Sequence, residues 1–334
     1  MSFRIDLRSA LVTTVLCAIA VVVGLIALTT GSYQLTVPEV LDVLLRIPAG
    51  GSGPEHLVVV DWRLPRVLLA LVLGACLGVS GAIFQSLTRN PLGSPDVIGF
   101  STGAYTGAIA VIILTGGGYY ATAGGALGGG ILTAAAVYLL AYRRGVQGFR
   151  LIIVGIGVSA MLSSVNTWLI VNAELETAMS AAVWGAGSLN GLTWDQAAPA
   201  TLLALLLGLG VAALTPRMPL LEMGDDTARG LGLGAERTRL ALTVLGVALT
   251  ALATAAAGPI AFVALCAPQL AKRLVGGAAA VIVPAAAMGA ALLGASDLLA
   301  QRAFVETQLP VGVVTVCVGG IYLVWLLVKE ARRQ

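Results

Sequence analysis

The side chains able to do chemistry in this sequence are few, and their spacing limits what they can do. Asp225 and Asp226 are adjacent acids with no histidine or other metal-ligand partner near them. An acid pair without an orienting or proton-accepting third group does not make a catalytic site, so no catalytic residue is assigned. His56 is the single histidine, which excludes a multi-histidine metal centre, and it reads as a solvated loop residue. Cys17, Cys76, Cys266 and Cys317 stand singly inside apolar runs with no C-x-x-C pair. They read as buried small hydrophobes rather than disulfides or metal ligands. No GxxxxGK[ST] loop is present to cradle a nucleotide phosphate, and no cofactor site is assigned.

The elements that must position these groups are apolar. Of 334 residues, 58% are hydrophobic and 10% charged, and mean hydropathy is +0.96. Soluble chains carry roughly 25% charged residues, so this one cannot cover a wet surface. Its apolar runs are about 20 residues long, the length that crosses a bilayer as a helix. About ten spans can be drawn, at 9–29, 66–88, 96–115, 119–142, 151–172, 193–215, 238–257, 259–273, 280–301 and 310–328. The eighth is short and interrupted by Pro259 and Pro268. Arg4 and Arg8 precede an apolar stretch from Ala10 to Leu28, too long for a signal h-region and without an A-x-A site. It is read as the first span. The polar stretches 30–65, 173–192 and 216–237 are too short for a soluble domain, so residues 1–334 form a single transmembrane domain. The net charge of +3 points to no nucleic-acid partner.

Charge distribution fixes the orientation. With the N-terminus inside and ten crossings, only Arg46, Arg63, Arg66 and Arg302 of the 19 Lys and Arg residues fall outside. The others are cytoplasmic, as the positive-inside rule requires, and both termini are then cytoplasmic. Glycine, 42 residues in all, supplies close helix packing: Gly99, Gly103 and Gly107 in the third span, Gly74 and Gly78 in the second, and the pairs Gly124/Gly128 and Gly125/Gly129 in the fourth.

Asp297 is the one ionisable group within a run, with Arg302 shortly after it. Proton and ion relays need intramembrane charges, so their near absence argues against a proton-coupled carrier. A transporter with neither a relay nor a nucleotide site needs a separate motor. The largest cytoplasmic loop contains Asp225, Asp226 and Thr227, which can open a short helix, and Gly230, Gly232 and Gly234, which stop it. It is either a solvated connector or a helix offered to a cytoplasmic partner. Arg63, Arg66 and Arg302 lie on the otherwise cation-poor outer side, as interfacial anchors or as a docking patch for an acidic partner. Asn90-Pro91 and Gly93-Ser94-Pro95 make a turn in which Ser94 can cap the next helix. Ser159, Ser163 and Asn166 share one face of the fifth span and either line a wet path or bond to a neighbouring helix.

The segments RLPR (63–66), GACLGVSGAIFQSLTRNPLGSPDVIGFSTGA (74–104), VWGAGSL (183–189), GDDTARGLGL (224–233), GPIAFVALCAPQLAKRLVG (258–276) and QLPVGVVTVCVGG (308–320) together resemble the FecCD family. These are the ten-helix permeases of type II ABC importers for siderophores, haem and cobalamin. The run at 90–108 is most similar to the catecholate-siderophore branch, which carries ferric enterobactin. The resemblance implies an all-α polytopic permease in the cytoplasmic (inner) membrane of a bacterium, surrounded by lipid. It implies pairing with a second permease subunit, a paralogue or a second copy, and work with two cytoplasmic ATPases, which use the ATP, and an external siderophore-binding protein. It further implies that Glu222, Met223, Gly224, Asp225, Asp226, Ala228, Arg229, Leu231 and Gly232 belong to the ATPase-coupling loop. Arg63, Arg66 and Arg302 would meet glutamates on the binding protein, and Ser159, Ser163 and Asn166 would line the path. The chain departs from the family at Gln269, where a histidine often follows the proline, and at Gly319-Gly320-Ile321, where Gly-Ala-Pro is common. A haem or cobalamin importer is the alternative, and a secondary carrier or a membrane enzyme would need charged clusters the spans lack.

Overall fold

The computed structural model describes residues 7–47, 53–142, 148–276, 282–303 and 308–331, and every regular element among them is a helix. They are α1 (Leu7–Thr29), α2 (Val37–Arg46), α3 (Pro54–Thr88), α4 (Phe100–Thr115), α5 (Tyr119–Ala141), α6 (Gly148–Val171), α7 (Leu175–Gly185), α8 (Trp194–Leu214), α9 (Met218–Glu222), α10 (Asp225–Gly230), α11 (Ala235–Ala257), α12 (Val263–Val275), α13 (Ile282–Arg302) and α14 (Val311–Ala331). Seven of them (α1, α3, α5, α6, α8 with its continuation to Glu222, α11 and α13) are long and apolar enough to cross a bilayer. α4 and the apolar part of α14 are shorter, and α12, the interrupted eighth run, has 13 residues with Pro268 inside. Arg4, Arg143, Arg144, Arg332 and Arg333 of the basic inner set lie outside the described residues.

Burial sorts the helices into a centre and a rim. The most apolar windows of α3 and α11 are 72% buried and that of α13 is 67%, against 11% for α6 and 28% for α1. The centre is made by contacts that tolerate no side chain. A Cβ on Gly74 would overlap the Gly289 carbonyl, and one on Gly78 would overlap the Ala285 carbonyl, so α3 and α13 meet backbone to backbone. Gly103 and Gly107 of α4 meet Gly125 and Gly129 of α5 in the same way. Gly99 is not part of that stripe: it is the left-handed N-cap of α4 (φ +93°), and Gly124 and Gly128 face open space. Ser80 of α3 donates to the Gly246 carbonyl and lies 2.7 Å from the Thr250 hydroxyl of α11, so the buried polar atoms at this crossing are satisfied. Cys76 and Cys266 are buried as expected, whereas Cys17 and Cys317 are exposed because α1 and α14 turn those faces out of the bundle.

The helices α2 and α7, within the polar stretches 30–65 and 173–192, were not expected. α2 starts at a capping box in which the Thr36 N–H donates to Glu39, an interaction that holds the Glu39 carboxyl below its usual range. Its buried residues Val40 and Val43 pack on Leu28, Val59 and Val67. α3 begins at Pro54 and passes through a π-helical stretch, Leu57–Arg63, before the α-helical portion from Leu64. The third span is shorter than expected, because Ser94–Gly99 form a turn, with Ser94 Oγ accepting from the Val97 N–H. Between α11 and α12 the chain breaks at Gly258–Phe262, and both of these residues have positive φ. The segment Gly187–Ser188 closes this break: Ser188 N donates to Ala257 O, and Gly187 O accepts from Gly312 N at the start of α14.

The α4–α5 seam generates a direct test. Gly107→Leu should lower thermal stability in detergent by at least the 1–3 kcal/mol typical of overpacking. Gly128→Leu, on the open face of α5, should leave it unchanged, and equal behaviour of the two variants would refute the seam.

Candidate functional site

Polar chemistry concentrates at the two ends of α3 and at one niche between α4 and α6. At the first end, Arg66 makes a two-pronged ion pair with Asp297 of α13: Nη2 and Nε reach Oδ1 and Oδ2 at 2.8 and 3.0 Å. Gln301 Nε2 donates to the same carboxylate and Gln308 Oε1 accepts from Arg66 Nη1, so the charged atoms are well partnered. Arg63 is turned the other way, donating to the carbonyls of Leu28 and Tyr33 and so pinning the end of α1. Arg302 is exposed and donates to Thr30 Oγ1. The three arginines expected to act together thus have separate partners. Arg66 is not an open cation, because a carboxylate distant in sequence meets it, and Arg302, near Asp297 in sequence, is not its partner.

The niche is a cavity of about 320 Å³ lined by Ser101, Thr102 and Tyr105 of α4, Ser163, Asn166 and Thr167 of α6, and Pro259 at the helix break. Asn166 is buried and its Oδ1 has no hydrogen-bond partner among the described residues. Ser163 is exposed at the rim. Ser159 is half-buried where α6 crosses Gly99, and its hydroxyl is likewise without a partner among the described residues. The hydroxyl face of α4 was overlooked in the sequence, although Ser101 and Tyr105 have the i, i+4 spacing that signals one.

At the other end of α3 lies the segment 215–234. α10 runs from Asp225, after the left-handed Gly224, and is closed by Gly232 and by the Leu233 N–H donating to Ala228 O. The short helix and its glycine stop are as the sequence suggested. Met223, Asp226, Arg229 and Leu231 are exposed, Ala228 is buried, and the side chain of Asp225 lies outside the described residues. Glu222 turns inward, accepting from Ser86 Oγ of α3 at 2.7 Å. Beside it, a cavity of about 530 Å³ separates the end of α3 from α12, with Gln85, Arg89, Gln269, Lys272 and Arg273 in its wall. Gln269, the departure from the family pattern, donates to Pro91 O and ties α12 to the turn after α3. No group of three or more His, Cys, Asp or Glu side chains suited to a metal occurs among the described residues.

A polytopic helical bundle with an exposed short-helix loop at one end fits the membrane subunit of a transporter, and its similarity to known proteins identifies which kind. The chain belongs to the FecCD transport family, which it matches over residues 19–329. It is 52% identical to the ferric enterobactin transport system permease protein FepG of Escherichia coli, over 98% of each chain. It is 34% identical to the probable siderophore transport system permease protein YfhA of Bacillus subtilis, over 92% of this chain and 91% of that one. A solved metal-chelate type ABC transporter in an inward-facing conformation superposes with a TM-score of 0.84 at 27% identity, covering 95% of this chain and 98% of that chain. The chain is therefore a multi-pass membrane permease.

The Arg66–Asp297 pair predicts an asymmetric mutational response. Arg66→Ala should cost about 3–5 kcal/mol, because it strands the buried Asp297 carboxylate, and Asp297→Ala should cost less, because Arg66 is only partly buried and keeps Gln308. The double variant Arg66→Leu/Asp297→Leu should lose clearly less than the two singles combined, as read by thermal unfolding in detergent.

Proposed function

We propose that this chain is the translocating subunit of an ABC importer for a ferric siderophore of the catecholate, enterobactin-like class, in the cytoplasmic membrane of a bacterium. The full-length similarity to FepG carries the cargo assignment. The whole chain acts as one transmembrane domain with ten crossings, α4, α12 and α14 joining the seven longer helices, and with both termini cytoplasmic. Contacts at one end of the bundle support that topology. Arg8 of α1 donates to Leu274 O at the end of α12, and Arg273 and Lys329 both approach the ring of Trp325 in α14. The start of α1, the end of α12 and the end of α14 therefore share one side.

Partner ATPases supply the energy through the exposed face of 223–231, while this chain hydrolyses no nucleotide and holds no cofactor. A second permease subunit completes the path against α6, whose Ser163 and Thr167 are exposed at a depth where lipid offers no hydrogen bonds. The Thr167 hydroxyl returns to the Ser163 carbonyl, which leaves the face weakly polar. Such a path passes a bulky chelate without holding it. On the outer side, Arg302 meets an acidic side chain of the siderophore-binding protein, with Arg63 beside it and Arg66 stabilising the helix beneath.

Uptake of radiolabelled iron as catecholate siderophore, hydroxamate siderophore or haem, in cells with and without the gene, tests the reading. Selective loss of catecholate uptake is expected, and loss of another cargo instead would overturn the cargo assignment. Arg302→Glu should lower uptake about tenfold, the effect of roughly 1.4 kcal/mol of lost docking. Charge reversal of the facing acid on the binding protein should restore it, and undiminished uptake would refute the docking role.

A further inference from the structure

Among the described residues, side chains at the end of α3 fasten the coupling segment to it, one from the last turn and one from the C-cap. Ser86 Oγ donates to Glu222 Oε1 at 2.7 Å, a short charge-assisted bond. Arg89 Nη2 donates to the Leu221 carbonyl at 2.8 Å. Beneath them Met218 and Leu221 of α9 are buried, so the attachment is packed as well as bonded. Arg89 itself ends α3 in the left-handed region, at φ +49° and ψ +33°. Helices commonly place glycine there, since any Cβ strains the conformation. A residue kept in a disfavoured conformation points to a use for its side chain. The bond to α9 is one such use.

We propose that Ser86, Arg89 and Glu222 are the positioning residues through which movement of the coupling segment reaches the pore, with α3 as the rod. The inference rests on the importer reading above. The segment divides its residues by direction: Met223, Asp226, Arg229 and Leu231 face outward, where a motor subunit can grip them, and Glu222 faces inward to α3. A pull on α9–α10 is therefore delivered to the end of α3 rather than dissipated along a loose connector. α3 is the right recipient, because its packing on α11 and α13 passes any displacement to the centre of the bundle. The 530 Å³ cavity beside the link leaves the side chains of Ser86, Arg89 and Glu222 room to shift, while Gln85 and Gln269 keep the end of α3 joined to α12.

The test uses the complete importer in proteoliposomes with its binding protein, reading ferric catecholate imported per ATP hydrolysed. Ser86→Ala, Glu222→Ala and Arg89→Gly, the last of which preserves the backbone conformation, should each lower that ratio at least fivefold while the ATPase subunits still co-purify. Ser86→Thr and Glu222→Gln, which keep a donor and an acceptor, should recover at least half of it. A ratio equal to that of the parent chain in all three disruptive variants would overturn the link. So would loss of co-purifying ATPase in the two conservative variants, which would make these residues assembly contacts. Absence of ATP-driven uptake by the parent complex would refute the importer reading itself, a result distinguishable from failure of the link alone.

Discussion

The structure depends on one constraint: inside a bilayer, apolar side chains gain nothing by leaving lipid for one another. Helices must then be held by close van der Waals approach and by polar contacts satisfied across the seam. Gly74 and Gly78 against Gly289 and Ala285, and Gly103 and Gly107 against Gly125 and Gly129, provide the first. Ser80 with Thr250, and Arg66 with Asp297, provide the second. Seams of this kind fit only one way, since sliding by a residue brings a Cβ into a carbonyl. Helices joined by them move as pairs, and the freedom that transport requires must lie elsewhere.

The looser places are the helix break at 258–262, the rim helix α6 and the segment 215–234. The break and the segment contain residues with positive φ, Phe262 at +69° and Gly224 at +111° among them, and α6 is the least buried of the long helices. The break is nevertheless tied to α7 and α14 through Ser188 and Gly187. That explains why the short motif at 183–189 lies so far in sequence from its partners. Further along α12, Gln269 donates to Pro91 O in the turn after α3.

Much of this was legible in the sequence, and the reasons are physical. Long apolar runs are unambiguous in length, so α1, α5, α6, α11 and α13 fell close to their expected positions. The stop of α10 by Gly232 was readable because glycine acts locally. What was missed depended on distance or amphipathicity. Asp297 was read beside Arg302, its neighbour in sequence, whereas its partner is Arg66, because side-chain pairing across a bundle ignores sequence separation. α2 and α7 escaped because short helices in polar stretches lack the continuous apolar signal, although Thr36 and Glu39 had the spacing of a capping box. Glu222 was grouped with the outward-facing loop, and only packing reveals that it points inward.

The π-helical stretch at Leu57–Arg63 has a consequence for divergence. A π-turn behaves as one residue inserted into a helix without unwinding it. It turns everything before Leu64 by about 100° relative to a regular α-helix of 3.6 residues per turn. Arg63 can then serve α1 while Arg66, one turn later, serves α13. The portion of α3 before Leu64, including Val60, whose carbonyl receives the Trp194 indole, therefore presents its faces in a different register from the seam that follows it. Substitutions before Leu64 can thus alter the exposed surface at that end of α3 while the glycine register of the seam with α13 is kept.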